Sequence, residues 1–166
     1  MKPALTPWLR PAQGFFDLRM FPAAWTALDD LEPSAQAHPE TLMLRLEILL
    51  AQDKFYEAAA VGADYCRDWP DHGDFFLKTA EALIRLAEHE KAFLLLLGAP
   101  ESHQRDEEYH YIVATCACRA GRLEEAKTAL EKSFYYGTFP QVALADPGFE
   151  PLWEAFGRPE EWGSAK

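Results

Sequence analysis

GRLEEAKTALEKSF, residues 121–134, opens on a Gly121-Arg122 turn and continues as a helix whose Ala126 belongs to a series. Ala24, Ala58, Ala92 and Ala126 each follow the one before by 34 residues. That period is the spacing of stacked helix-turn-helix pairs, each burying its apolar face against its neighbours. Extended both ways, it divides the chain without a gap into four blocks, 5–38, 39–72, 73–106 and 107–140.

The columns of these blocks agree in chemistry. Trp8, Leu42, Phe76 and His110 share one first-helix position, Ala12, Leu46, Ala80 and Ala114 lie four residues on, and Phe15, Leu49, Leu83 and Ala117 three further. Steps of four and three keep these columns on one helical stripe. Small residues in the middle column, met from the second helix by the four alanines, predict a short interhelix distance. Short turns are predicted at Arg19-Met20, Gln52-Asp53-Lys54, Ala87-Glu88 and Gly121-Arg122. Pro33, Pro70 and Pro100 are expected to stop second helices, because proline lacks the N–H and disfavours helix in the residue before it.

With 166 residues, 49% of them hydrophobic, the chain suffices for one continuous core. Sixteen Lys and Arg against 27 Asp and Glu leave a net charge of −11, which disfavours nucleic acid and anionic membranes and favours a basic or neutral partner. The three cysteines, with Cys116 and Cys118 two apart, suit neither a disulfide framework nor a CxxC zinc pair, and a reducing cytoplasm is the expected compartment. The opening MKPALTPWLRP lacks the apolar segment of a signal peptide, and the longest aliphatic run, Leu94 to Leu97, is far short of a membrane span.

In block 107–140 the turn and second helix of GRLEEAKTALEKSF, and in block 39–72 the stretch KFYEAA with its closing Trp69-Pro70, resemble the tetratricopeptide repeat family. The resemblance extends over about four-fifths of the chain and implies a small protein of bacterial type. The implied fold is all-α: a right-handed superhelix of antiparallel helix pairs with a concave groove, about four 34-residue repeats and C-terminal capping helices. A single domain is expected over 1–156, its cap at 141–156 using Leu144, Phe149, Leu152, Trp153 and Phe156 to cover the last repeat, with 157–166 a flexible tail. ADPGFEPL, residues 145–152, resembles segments that trail the last repeat in some bacterial members. Two departures stand out. Pro7 and Pro11 shorten the first helix, which is expected to begin at Pro11. Gly98-Ala99-Pro100 cuts the third block's second helix and leaves GAPESHQRDEE as a polar loop.

Rotating about one residue from the packing columns reaches the stripe that faces the groove. It holds Met43, Glu47 and Leu50 in the second block, Leu77, Glu81, Ile84 and Arg85 in the third, and Tyr111, Thr115, Cys118 and Arg119 in the fourth. Family members that clamp a chaperone's C-terminal carboxylate line this surface with Lys and Asn, so the acids and apolar residues here speak against such a clamp. Met43, Leu77 and Tyr111 are the expected anchors for a peptide or helix, with Glu47 and Glu81 meeting its basic residues. Glu40, Asp74 and Glu108 read as first-turn acids complementing the helix dipole. The aromatic cluster Phe134, Tyr135, Tyr136 and Phe139 suits either a dimer interface or, the preferred reading, intramolecular capping by Phe149 and Trp153.

No catalytic, cofactor or metal site is expected. His110 falls in a packing column, and Cys116 and Cys118 point about 200° apart on one helix, too far to share a metal. His103 with Asp106, Glu107 and Glu108 could chelate only as a loosely spaced set, and GxSxG, HExxH and phosphate-cradling glycine loops are absent from the sequence. The expected function is that of a non-catalytic adaptor binding a protein or peptide in its groove. The alternatives are a dedicated chaperone of exported proteins and a structural subunit of a larger complex.

Overall fold

A computed structural model describes residues 6–103 and 105–162; Met1–Leu5, Gln104 and Gly163–Lys166 lie outside the described residues. Helix pairs follow one another along the chain: α1 (Arg10–Asp17) with α2 (Phe21–Asp29), α4 (Pro39–Ala51) with α5 (Phe55–Asp68), α6 (Gly73–Arg85) with α7 (His89–Leu97), and α8 (Glu107–Arg119) with α9 (Leu123–Tyr136). The short α3 (Pro33–Gln36) links the first two pairs, and α10 (Pro140–Leu144), α11 (Glu150–Phe156) and α12 (Pro159–Trp162) close the array. Contacts run between successive helices, as in a solenoid, and no strand occurs among the described residues.

The period is written into the backbone as well as the side chains. Arg19, Asp53, Ala87 and Gly121, again 34 residues apart, take left-handed backbone with φ of 58°, 58°, 60° and 77°. The next N–H, of Met20, Lys54, Glu88 and Arg122, donates to the carbonyl of Phe15, Leu49, Leu83 and Ala117 at 2.8–3.0 Å. The left-handed N–H itself donates to Phe16, Leu50, Ile84 and Cys118. These paired bonds form a Schellman cap, which satisfies carbonyls orphaned at a helix end and turns the chain sharply back. The carbonyls of Met20, Lys54, Glu88 and Arg122 then accept from the N–H of Ala24, Ala58, Ala92 and Ala126 to start the second helix. All four alanines have zero exposure, so the crossings admit no side chain beyond a methyl.

Two apolar clusters share α4. Leu44 and Ile48 join Leu9, Ala12, Ala24 and Leu28 beneath the first pair, whereas Leu46, Leu49 and Leu50 enter the main core, which continues to Leu152. A helix packed on both flanks has little wet surface, which is why PETLMLRLEILLA is apolar nearly all round.

The structure differs from the expectations at both ends. Pro7 opens a 3₁₀ turn over Pro7–Leu9, and α1 starts at Arg10, with Pro11 second in the helix, where its missing N–H costs nothing. The helix α2 already ends at Asp29, its terminus closed by Gln36 Nε2 donating to the carbonyls of Asp29 and Leu31 at 2.8 and 2.7 Å; Pro33 begins α3 instead. Residues 157–162, expected in a flexible tail, are held. Trp162 Nε1 donates to the Gly157 carbonyl at 3.0 Å, and its ring lies 5.7 Å from Trp153 and 6.3 Å from Phe134. The indole supplies enough apolar contact to dock a four-residue helix that could not stand alone. The rest of the expected tail, 163–166, lies outside the described residues. As predicted, α7 ends before Gly98-Ala99-Pro100.

Candidate peptide-binding groove

The stripe read from the sequence lies along α4, α6 and α8, and the three helices treat it differently. On α4, Met43 and Glu47 are half-buried, and Glu47 has no hydrogen bond or ion pair to a described residue. Leu50 is only 9% exposed and packs in the core. On α6, Leu77 and Ile84 are half-buried against the core and Glu81 is exposed, 3.4 Å from Lys78. Arg85 is drawn aside: its guanidinium lies 4.6 Å over the Phe55 ring and 3.6 Å from Asp53.

On α8 the chain covers its own surface. Tyr111 donates its hydroxyl to Asp146 at 3.0 Å and meets Phe149 edge-on at 5.5 Å. Burial, reinforced by the Asp146 carboxylate, pushes the Tyr111 phenol up to about 12. The Cys118 thiol donates to the Gly148 carbonyl at 3.3 Å and is buried, and a side chain at Gly148 would meet the Arg119 guanidinium at 3.5 Å. Thr115 donates back to the Tyr111 carbonyl at 3.0 Å, satisfying its hydroxyl within the helix. Residues 146–149 thus cover Tyr111 and Cys118 at the α8 end of the stripe, where Arg119 stays exposed, and leave Met43, Glu47, Leu77, Glu81 and Ile84 open along α4 and α6. The spacing of Tyr111 announces a stripe position but carries no sign of Asp146, 35 residues away.

Two of the three first-turn acids find partners about one repeat away in sequence. Glu40 accepts from the backbone N–H and hydroxyl of Thr6, and Asp74 stands 3.0 Å from His103 Nε2. That contact assigns His103 away from Asp106, which accepts from the Glu108 N–H at 3.0 Å and so caps α8. His110 is 5% exposed and stacks flat on Tyr136 with centroids 5.3 Å apart, a packing histidine. Cys66, Cys116 and Cys118 are free and buried, and burial pushes the Cys116 thiol up to about 12, opposite to a reactive thiolate. No group of three His, Cys, Asp or Glu among the described residues is placed to hold a metal, and no described helix is long and apolar enough to cross a membrane.

The aromatic cluster near residue 135 divides. Phe134 stacks on Trp162, a residue outside the expected cap, whereas Tyr135 and Phe139 are 83% and 74% exposed.

The repeated Schellman caps and the buried alanine crossings together define an α-solenoid of the tetratricopeptide-repeat type. Solved structures share the fold. A thermophilic TPR protein of Thermus thermophilus, TTC0263, superposes with a TM-score of 0.66 at 18% identity, over 93% of this chain and 84% of that one. MamA 41-end from Desulfovibrio magneticus RS-1 gives 0.67 at 15% identity, over 81% and 78%, and a MamA RS-1 double mutant gives 0.69 at 15%, over 91% and 96%. No family model matches the chain, and no curated protein does.

Proposed function

We propose that this chain is a non-catalytic protein-interaction module whose concave face, along α4 and α6, takes a peptide or helix bearing apolar and basic residues. The observation that carries the reading is Glu47: half-buried, with no ion pair to a described residue, and on the same stripe as half-buried Met43 and Leu77. A carboxylate that is partly desolvated and unpaired gains most from an incoming Lys or Arg, and the net charge of −11 draws such a partner in from a distance. Met and Leu beside it supply adaptable apolar contact. The fold likeness to other helical-repeat proteins supports an interaction role, and the covered α8 end limits the groove to peptides spanning two helices. Quantitative affinity capture from source-cell lysate, comparing the native chain with Glu47→Lys/Glu81→Lys, is the test. Loss of specific partners on charge reversal is expected, and an unchanged set refutes the reading.

A further inference from the structure

On the far side of α8 lies a cleft of about 550 Å³ between α7 and α9. Its floor is Tyr109, His110 and Val113, its apolar wall Leu94 and Leu97, and its opposite wall Thr128, Ala129 and Lys132. Tyr109 and Val113 precede Tyr111 and Thr115 by two residues, about 200° around α8, so the cleft and the concave stripe use opposite faces of that helix.

The repeat itself explains the open space. The positions held by Thr128, Ala129 and Lys132 in α9 are held one period earlier by Leu94, Leu95 and Gly98, and Leu95 is packed against the core. Replacing Leu95 by its counterpart Ala129 removes three side-chain carbons at the place where one second helix meets the pair before it. The facing wall is short as well: α7 has 9 residues where α5 and α9 have 14, so it stops at Leu97 and leaves one end of the cleft open. Leu94 and Leu97 are consequently 53% and 55% exposed.

The charges at its two ends differ in sign. Lys132 and Glu124 are exposed and make no ion pair with a described residue, while Arg122 is committed to Glu90 at 2.6 Å and Glu125 at 3.1 Å. Eight residues of α9 separate this cation from this anion, about 12 Å. We propose that this cleft seats an amphipathic helix of a partner polypeptide, a leucine-type side chain entering the space that Leu95 fills one repeat earlier, with a carboxylate toward Lys132 and a basic group toward Glu124. Apolar burial supplies the affinity and the opposed charges fix the register.

The test titrates the full chain with a fluorescein-labelled helical peptide carrying a leucine pair on one face and Arg and Glu two turns apart, beside versions with two Arg or two Glu. The mixed peptide is expected to bind about two- to fivefold more tightly than either single-sign peptide, the range for exposed ion pairs. Lys132→Glu is expected to shift the preference to the doubly basic peptide. Ala129, at the base of the cleft, is only 6% exposed, and Ala129→Leu, which extends a side chain from there, is expected to weaken binding by about tenfold. Leu97→Glu, on an exposed side chain that folding does not need buried, is expected to weaken binding to the same extent. The Glu47→Lys/Glu81→Lys variant is expected to bind unchanged, which separates this cleft from the concave groove. Absence of saturable binding, indifference to Ala129→Leu and Leu97→Glu, or loss in the Glu47→Lys/Glu81→Lys variant would each overturn the proposal.

Discussion

The four left-handed turn positions form an internal experiment in backbone energetics. Arg19, Asp53, Ala87 and Gly121 share one cap geometry, with φ between 58° and 77°, yet only the last is glycine. An L-residue in this region costs roughly 1–2 kcal/mol, because its Cβ approaches the following carbonyl, whereas glycine occupies it freely. Against that, glycine loses more entropy on folding, roughly 0.5–1 kcal/mol relative to alanine. Ala87→Gly is therefore expected to stabilise the fold by about 0.5–1 kcal/mol, and Gly121→Ala to destabilise it by a similar amount. Nothing lies within 4 Å of a Cβ built on Gly121, so the loss there is conformational and involves no clash. For a chain of this size about 1 kcal/mol corresponds to roughly 2–4 °C in Tm. Arg19→Gly and Asp53→Gly should act in the same direction, and sites a full repeat apart should add. Urea unfolding followed by far-ultraviolet circular dichroism measures each variant. If Ala87→Gly lowers the midpoint, or Gly121→Ala leaves it unchanged, the strain assigned to this column does not exist.

Four further outcomes rest on single residues. His89 occupies the column of Phe21, Phe55 and Leu123, its Nδ1 is buried without a hydrogen-bond partner among the described residues, and burial and then the Arg119 charge hold its pKa below the ordinary value. The fold therefore resists its protonation: the stability it contributes is full above the unfolded value of about 6.5 and falls as the pH drops below it. His89→Phe should shrink the difference between denaturation midpoints at about pH 8 and about pH 5. A methyl on Gly62 would stand 2.2 Å from the hydroxyl of fully buried Thr79, which donates to the Phe75 carbonyl at 2.6 Å. Gly62→Ala should cost about 2 kcal/mol in chemical denaturation, and much of that should return in the Gly62→Ala/Thr79→Ala double variant. Tyr111→Phe removes the hydroxyl bond to Asp146 and should cost about 1 kcal/mol, with faster hydrogen exchange concentrated in residues 146–156. In the native chain Tyr111 should ionise only near pH 12 by ultraviolet difference absorption, and the stability tied to its neutral form should be lost between about pH 10 and that value.

Much of this molecule is local and periodic, and that part can be read from residue order alone. Ala24, Ala58, Ala92 and Ala126 announce helix crossings because only a methyl fits there, and the turns at 19–20, 52–54, 87–88 and 121–122 sit between apolar stripes whose steps of three and four belong to helices. Gly98-Ala99-Pro100 likewise marks the end of α7 through backbone chemistry alone. The candidate stripe was legible as a register, since rotation about a helix is fixed by counting residues.

Which stripe positions stay open depends on contacts between residues far apart in the chain. Leu50 and Ile84 both flank a turn in the same column, yet Leu50 sinks to 9% exposure while Ile84 stays half-buried. Tyr111 and Cys118 are lost to the stripe because Asp146 and Gly148, about one repeat further on, fold back upon them. Trp162 pins residues that read as a tail, and the cleft beside Ala129 emerges only where α7 and α9 face one another. A periodic sequence specifies each repeat and its contact with the next. At the end of the array there is no next repeat, so the surfaces there are settled by whichever non-repeating side chains, Asp146, Phe149 and Trp162, can reach them.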